Sequence, residues 1–207
     1  MSMTPWNRVS QVTAGKVGTL QEGYTAKPRS AVAQRTLADL RHADANDPAA
    51  NPALWEVVLG GLPEDLAGSS DDPTWAESAI HAALVLYAIH QQSRTEPMHR
   101  VGVGLGTAVR DLSRKRASES WDPGTISRFH ALSRAQSPAM RLYHLRGLVS
   151  LMRAESVPLD YGLLAADLWL LNTGSSDRVR LRWGRQLHHY SPLKSESTAT
   201  TTEGDAS

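Results

Sequence analysis

Three signals for the start of a helix recur along this chain, each a capping side chain followed by proline. They are Asp72-Pro73, Asp122-Pro123 and Ser137-Pro138. Asp and Ser side chains accept hydrogen bonds from the free N–H groups of a first helical turn, and proline suits the first helical position because no N–H is needed there. Apolar residues follow each signal at helical spacing, and no long stretch alternates apolar and polar residues as a half-buried strand would. The sequence therefore predicts an all-α fold.

The helical patterns predict a two-lobed bundle of about eight helices. The segment from Tyr161 to Leu171 is apolar on nearly all faces, so we expect it to be buried all round. Asn172-Thr173-Gly174 should end that helix, and Asp177 should cap the last one. Weaker patterns predict helices near residues 5 to 20, 29 to 43 and 52 to 59, and loops at 44 to 52 and 60 to 73.

Charge divides the chain in two. Residues 39 to 93 hold nine Asp or Glu and one Arg, whereas residues 94 to 190 hold fifteen Lys or Arg and eight Asp or Glu. The balance inverts at the loop from Glu96 to Gly106, so we predict an N-terminal helical lobe over 1–95 and a basic C-terminal lobe over 96–190. The tail, 191–207, has almost no large apolar residue and is expected to be disordered.

Composition excludes several classes of protein. The chain has no Cys, so disulfides, thiolate nucleophiles and Cys-ligated metal centres are excluded. No window approaches 18 consecutive apolar residues, and the first residues lack the layout of a signal peptide. We therefore expect a cytoplasmic protein with no membrane partner. The 41% apolar content of 207 residues suffices for a proper core.

The arginines of the basic half fall on helix faces. Arg178, Arg182 and Arg185 lie within about 60° of one another on the last predicted helix, facing away from Val179, Trp183, Leu187 and Tyr190. Arg110 and Arg114 are neighbours four residues apart on another helix. Exchanging Arg182 and Arg185 for Glu is accordingly expected to keep the fold. Guanidinium groups suit phosphate, and nucleic acid is the commonest polyanion partner, although solvated basic helix faces are also ordinary.

Other constellations give weaker signals of function. The eight His show no two-residue metal spacing with a carboxylate, so a structural or surface role is expected for them. The Gly-rich run from Val101 to Gly106 matches no nucleotide-binding motif, and an interlobe turn is the simpler interpretation. The six Trp could stack bases, but at helical spacing they are more often core residues.

Six local motifs follow one another along the chain. They are Gln34 to Ala43, Gly104-Leu105-Gly106, Arg128 to Leu132, His144 to Val149, Pro158 to Tyr161, and Arg182 to Arg185. In this order they resemble the CasB family, the small subunit of the type I-E CRISPR surveillance complex Cascade. The resemblance spans roughly residues 29 to 190, and its specificity lies in the ordered set of motifs.

The resemblance to CasB implies an all-α protein of two lobes with no catalytic activity. It implies a place in a guide-RNA-bound complex, beside the Cascade backbone and large subunits and a second copy of the same chain. Basic residues would hold the target strand and the displaced non-target strand of DNA, so that the opened R-loop persists. No cofactor, metal or catalytic residue is implied.

The predicted nucleic-acid-binding residues come from two sources. The resemblance implies seven of them, and the argument from basic patches adds four. The seven are Arg35, Arg41, Arg128, Arg134, Arg146, Arg182 and Arg185; the four are Lys27, Arg29, Arg110 and Arg114. Two alternatives to this function remain: a helical adaptor or regulator that uses its acidic and basic faces for protein contacts, and a hydrolase with a His-carboxylate metal site.

Overall fold

The computed structural model describes residues 3–117 and 121–188, and over these ranges the protein is helical with no strand. This confirms the all-α prediction. The predicted tail, 191–207, lies outside the described residues. The helices are α1 (Pro5–Thr25), α2 (Ala31–His42), a short 3-10 helix (Pro52–Leu54), α3 (Trp55–Leu59), α4 (Trp75–Gln91), α5 (Leu105–Arg116), α6 (Pro123–Arg134), α7 (Pro138–Ala154), α8 (Tyr161–Asn172) and α9 (Ser176–His188).

Two of the three predicted helix starts are confirmed. The Asp122 and Ser137 side chains accept hydrogen bonds from the third backbone N–H of α6 and α7, and proline follows each of them. The prediction at Asp72 is wrong by two residues. Thr74 caps α4, because its hydroxyl accepts from the Glu77 N–H while the Glu77 carboxylate accepts from the Thr74 N–H. This reciprocal pair satisfies two backbone donors where Asp72 would satisfy one.

The start of α9 also differs from the prediction. The helix begins at Ser176, which places Asp177 inside its first turn rather than at the cap. The Asp177 carboxylate forms a salt bridge of 3.0 Å with Arg180 one turn later. An acidic side chain in the first turn still interacts favourably with the positive end of the helix dipole.

Helix α8 lies at the centre of the molecule and is buried on nearly all sides, as its sequence predicts. It packs against α1 and α4, which come from the other half of the chain. A Cβ at Gly162 would lie 2.6 Å from the Ser10 carbonyl oxygen, so the close approach of α1 and α8 requires glycine there. One hydrophobic cluster runs from Val9 in α1 to Leu187 in α9. The division into lobes at residue 95 stays a prediction.

The connection between α4 and α5 is held to both halves of the chain. The Gln21 side chain exchanges two hydrogen bonds with the backbone of His99, and the Leu159 N–H donates to the Met98 carbonyl. Further along, the Asp160 carboxylate accepts from the Gly102 N–H at 2.7 Å. A Cβ at Gly106 would press on the Trp183 carbonyl, so α5 and α9 also pack closely.

None of the helices within 3–117 and 121–188 has both the length and the apolar character needed to cross a bilayer.

Candidate nucleic-acid interface

An open groove of about 640 Å³ lies between α6 and α7. The two helices are joined by only three residues, 135–137, and pack side by side. On each helix four of the lining residues are spaced as positions one, four, five and eight of a single helix face, and His144 of α7 lies beside that face. The groove is lined by Gly124, Ser127, Arg128 and Ala131 of α6, and by Tyr143, His144, Arg146, Gly147 and Ser150 of α7.

Two of the predicted binding residues, Arg128 and Arg146, line this groove together. Both side chains are exposed, and Arg128 Nη1 donates to the Gly124 carbonyl at 3.2 Å. In the part of the chain that the structure describes, neither guanidinium lies within 4 Å of a carboxylate. Their charges are therefore available to an anion that enters the groove.

The opposite faces of α6 and α7 explain why these arginines point outward. Phe129 and Leu132 on α6 and Leu145 and Leu148 on α7 are buried in the core. Burying an apolar face fixes the rotation of an amphipathic helix about its axis, so residues off that face remain exposed. Arg134, at the end of α6, is also exposed but does not line the groove.

The predicted cations nearer the N-terminus form a separate group. Lys27, Arg29 and Arg35 are exposed, whereas Arg41 is half-buried. The Arg29 guanidinium lies 4.7 Å from the ring centroid of Tyr24, and Arg35 approaches Asp39 at 3.9 Å. None of the four lines the groove between α6 and α7.

Arg110 does not lie on the surface, contrary to the prediction. Its side chain is 8% exposed, Nη1 donates to the Gln186 carbonyl at 3.2 Å, and Nε lies 3.2 Å from Asp111 Oδ1. The hydrogen bond to Gln186 joins α5 to α9, whereas Asp111 lies on α5 itself. Its predicted neighbour Arg114 is exposed, so the two arginines do not form one basic face.

Arg182 is also turned towards the protein, and the prediction of a free basic stripe on α9 is wrong. Its Nη2 donates to Oδ1 of Asp167 on α8, whose side chain is only 4% exposed. The second carboxylate oxygen of Asp167 accepts from Trp183 Nε1 at 2.6 Å. Burial lowers the pKa of Arg182, but a guanidinium stays charged under such conditions. Exchanging Arg182 for Glu would place two carboxylates together, so we now expect this change to destabilise the fold.

The other residues of the predicted stripe differ from one another. Arg178 lies over the ring of Trp6, 5.0 Å from its centroid, and Arg185 is exposed. Val179, Trp183 and Leu187 are buried as predicted, and Tyr190 lies outside the described residues.

The expectation that the Trp residues belong to the core holds fully only for Trp183. Trp55, Trp75 and Trp121 are 46%, 50% and 38% exposed, since they stand at the ends of their helices or in a connection.

The sequence prediction missed Tyr143 and Gly147, which line the groove beside Arg146. Tyr143 is 71% exposed, and its ring meets His144 edge-on with the centroids 5.3 Å apart. A Cβ at Gly147 would meet nothing within 4 Å. The signal was present, because both residues lie off the apolar stripe of α7 and share a helix face with Arg146.

The histidines give no metal site in the described part of the chain, where no three His, Asp or Glu side chains gather around a common point. His90 is buried between α4 and α8, and its Nδ1 lies 2.9 Å from the Tyr161 hydroxyl. Burial lowers the pKa of His90 to about 3, so its ring is neutral at ordinary pH. Burial also lowers the pKa of His81 and His99.

Fold and groove together define an all-helical protein that presents arginine side chains along an open cleft. A profile described as CRISPR-associated protein Cse2 matches residues 36–188, and the chain belongs to that family. It is also similar to a solved structure, the crystal structure of CasB from Thermobifida fusca, with a TM-score of 0.74 and 36% sequence identity over 91% of this chain and 100% of that one. Comparison with curated proteins gave no match. The predicted family is thus confirmed, and membership supports a role as a small subunit of Cascade.

Proposed function

We propose that this protein is a non-catalytic subunit that holds nucleic-acid backbones without reading their sequence and so stabilises the R-loop of a type I-E Cascade. The observation that carries the proposal is the pairing of Arg128 and Arg146 in one exposed groove, with no carboxylate of the described residues near either. The exposed cations outside the groove, among them Arg29, Arg134 and Arg185, would extend the contact. Arg110 and Arg182 are left out because their guanidinium groups bind this molecule's own acceptors.

Backbone contacts of this kind suit an R-loop. The heteroduplex formed by a guide RNA is about as stable as the DNA duplex it replaces, so modest additional contacts decide whether the loop persists. Arginine binds phosphate through a planar fork of N–H donors and leaves base identity unread. The partners in this proposal are the guide-RNA complex with its backbone and large subunits, both DNA strands, and a second copy of the chain.

The proposal is tested by replacing Arg128 and Arg146 with Ala, singly and together, and measuring the affinity of the full chain for a single-stranded oligonucleotide across a salt titration. Each lost phosphate contact should lower the slope of log K against log salt by about 0.7. The double variant should therefore lose about 1.4 of the slope. Arg100→Ala is the matched control, since Arg100 is exposed and lies outside the groove.

The result that would overturn the proposal is a double variant with the affinity and salt slope of the unaltered protein. An unaltered protein that binds no nucleic acid at low salt would also overturn it, and would favour an adaptor that uses its charged faces for protein contacts. Melting curves of the variants exclude a trivial loss of fold, which we do not expect for side chains this exposed.

A further inference from the structure

The groove between α6 and α7 offers an aromatic ring as well as positive charge. The ring of Tyr143 is 71% exposed and stands on the same helix face as Arg146. A single exposed aromatic residue needs no special explanation. Here, however, the ring lies beside two guanidinium groups that the described carboxylates leave unneutralised, and it forms part of the wall of a groove.

Apart from His144, whose ring meets that of Tyr143 edge-on, the remaining lining residues are small and leave room for a flat group next to the Tyr143 ring. Gly124, Ala131 and Gly147 place no long side chain in the groove, and Ser127 and Ser150 add two hydroxyl groups. Gly147 makes no packing contact that a Cβ would disturb. Glycine in the middle of a helix is destabilising by about 0.5–1 kcal/mol relative to alanine, and the core gains nothing from it here. An open floor at this position allows a ligand to approach the backbone of α7.

We propose that Tyr143 is a stacking platform for an unpaired nucleobase, while Arg128 and Arg146 hold the flanking phosphates. This inference rests on the proposed function and adds that the groove takes a single strand. In a duplex each base face is covered by its neighbours, whereas an unpaired base exposes a face on which an aromatic side chain can stack. The groove volume of about 640 Å³ lies in the range that pockets for small ligands occupy.

The test compares Tyr143→Ala with Tyr143→Phe in the full chain. The probes are a labelled thymidine oligonucleotide of about 16 nucleotides, an abasic strand of the same length and the corresponding duplex. Tyr143→Ala should weaken binding of the thymidine strand about 5- to 150-fold. Tyr143→Phe keeps the ring and should bind within about twofold of the unaltered protein. Trp75→Ala removes another half-exposed aromatic ring, on α4, and serves as the matched control.

The abasic strand separates stacking from charge. Because it keeps the phosphates and lacks the bases, Tyr143→Ala should bind it as the unaltered protein does. Equal loss of affinity for both strands would overturn the stacking role, since the effect would then be general. Equal affinity of Tyr143→Ala and the unaltered protein for the thymidine strand would overturn it too.

These outcomes are distinct from failure of the proposed function. If Arg128→Ala and Arg146→Ala still weaken binding while Tyr143→Ala does not, the backbone contacts stand and only stacking falls. A second measurement protects against a variant that folds poorly. A 2-aminopurine base in the oligonucleotide should lose fluorescence on binding the unaltered protein and Tyr143→Phe, and unchanged fluorescence at saturation would again reject stacking.

Discussion

Arg182 on α9 and Arg128 on α6 carry the same guanidinium group in opposite surroundings. Arg182 binds the buried carboxylate of Asp167, which also accepts from Trp183, whereas Arg128 stands in an open groove with no described carboxylate near it. The first arginine connects two helices of the core, and the second leaves its charge available to a ligand. Residue type and helical spacing alone do not distinguish these roles, because the distinction lies in what the neighbouring helix presents.

The largest expected effect comes from removing the buried carboxylate that binds Arg182. Asp167→Ala removes the acceptor of two side-chain donors and leaves the Arg182 guanidinium without its carboxylate. Separating a buried charge pair by removing one partner is destabilising by about 3–5 kcal/mol. The Arg182 side chain is 29% exposed, so water compensates in part, and we expect the lower end of that range in a urea denaturation.

Arg185→Glu is the matched control for this measurement, because Arg185 is exposed on the same helix. It should change the free energy of unfolding by less than about 0.5 kcal/mol. A similar stability for Asp167→Ala and Arg185→Glu would show that the contact between α8 and α9 does not depend on the carboxylate. The contrast between the buried and exposed arginines would then disappear.

A second prediction concerns the pH dependence of the free energy of unfolding, which depends on a histidine of the core and not on the groove. The folded protein holds the pKa of His90 at about 3, whereas an unfolded histidine titrates near about 6.5. Between these values the unfolded chain binds more protons, so this contribution to stability is complete above pH 6.5 and is lost as the pH falls towards 3. The loss should reach about 1.4 kcal/mol per pH unit in denaturant titrations.

Replacing His90 by Gln should flatten this pH dependence, while His188→Gln, at an exposed position, should leave it unchanged. His81 and His99 act in the same direction, because burial lowers the pKa of each, so a residual slope is expected in the His90 variant. An identical slope in the unaltered protein and His90→Gln would contradict the prediction.

The sequence specifies those parts of this structure that depend on local contacts. Asp122 and Ser137 are confirmed as caps because a cap needs only the next three residues. Asp72 was preferred wrongly over Thr74, since the reciprocal bond with Glu77 decides the start of α4. The apolar face of α9 was predicted correctly. The prediction of a stripe of free arginines on the other face was wrong, because Arg182 binds Asp167.

The groove, too, depends on contacts between helices that local sequence patterns do not specify. Arg128 and Arg146 were identified through a family resemblance, and only the packing of α6 against α7 shows that they share one groove. The partner of Arg182 lies 15 residues away on another helix, so no periodicity within α9 could identify it. Tyr143 could have been found from its position off the apolar stripe, but a pattern cannot show what stands opposite an exposed ring.

The smallest expected effect compares two helical glycines, Gly147 in the groove and Gly162 in the core. A Cβ at Gly147 meets nothing within 4 Å, so Gly147→Ala should raise the free energy of unfolding by about 0.5–1 kcal/mol. A Cβ at Gly162 would lie 2.6 Å from the Ser10 carbonyl oxygen, so Gly162→Ala should lower it as α1 and α8 separate. Thermal unfolding of the two variants shows directly whether each change stabilises or destabilises the protein. If Gly147→Ala is also destabilising, the floor of the groove is packed rather than open, and the contrast between groove and core fails at that position.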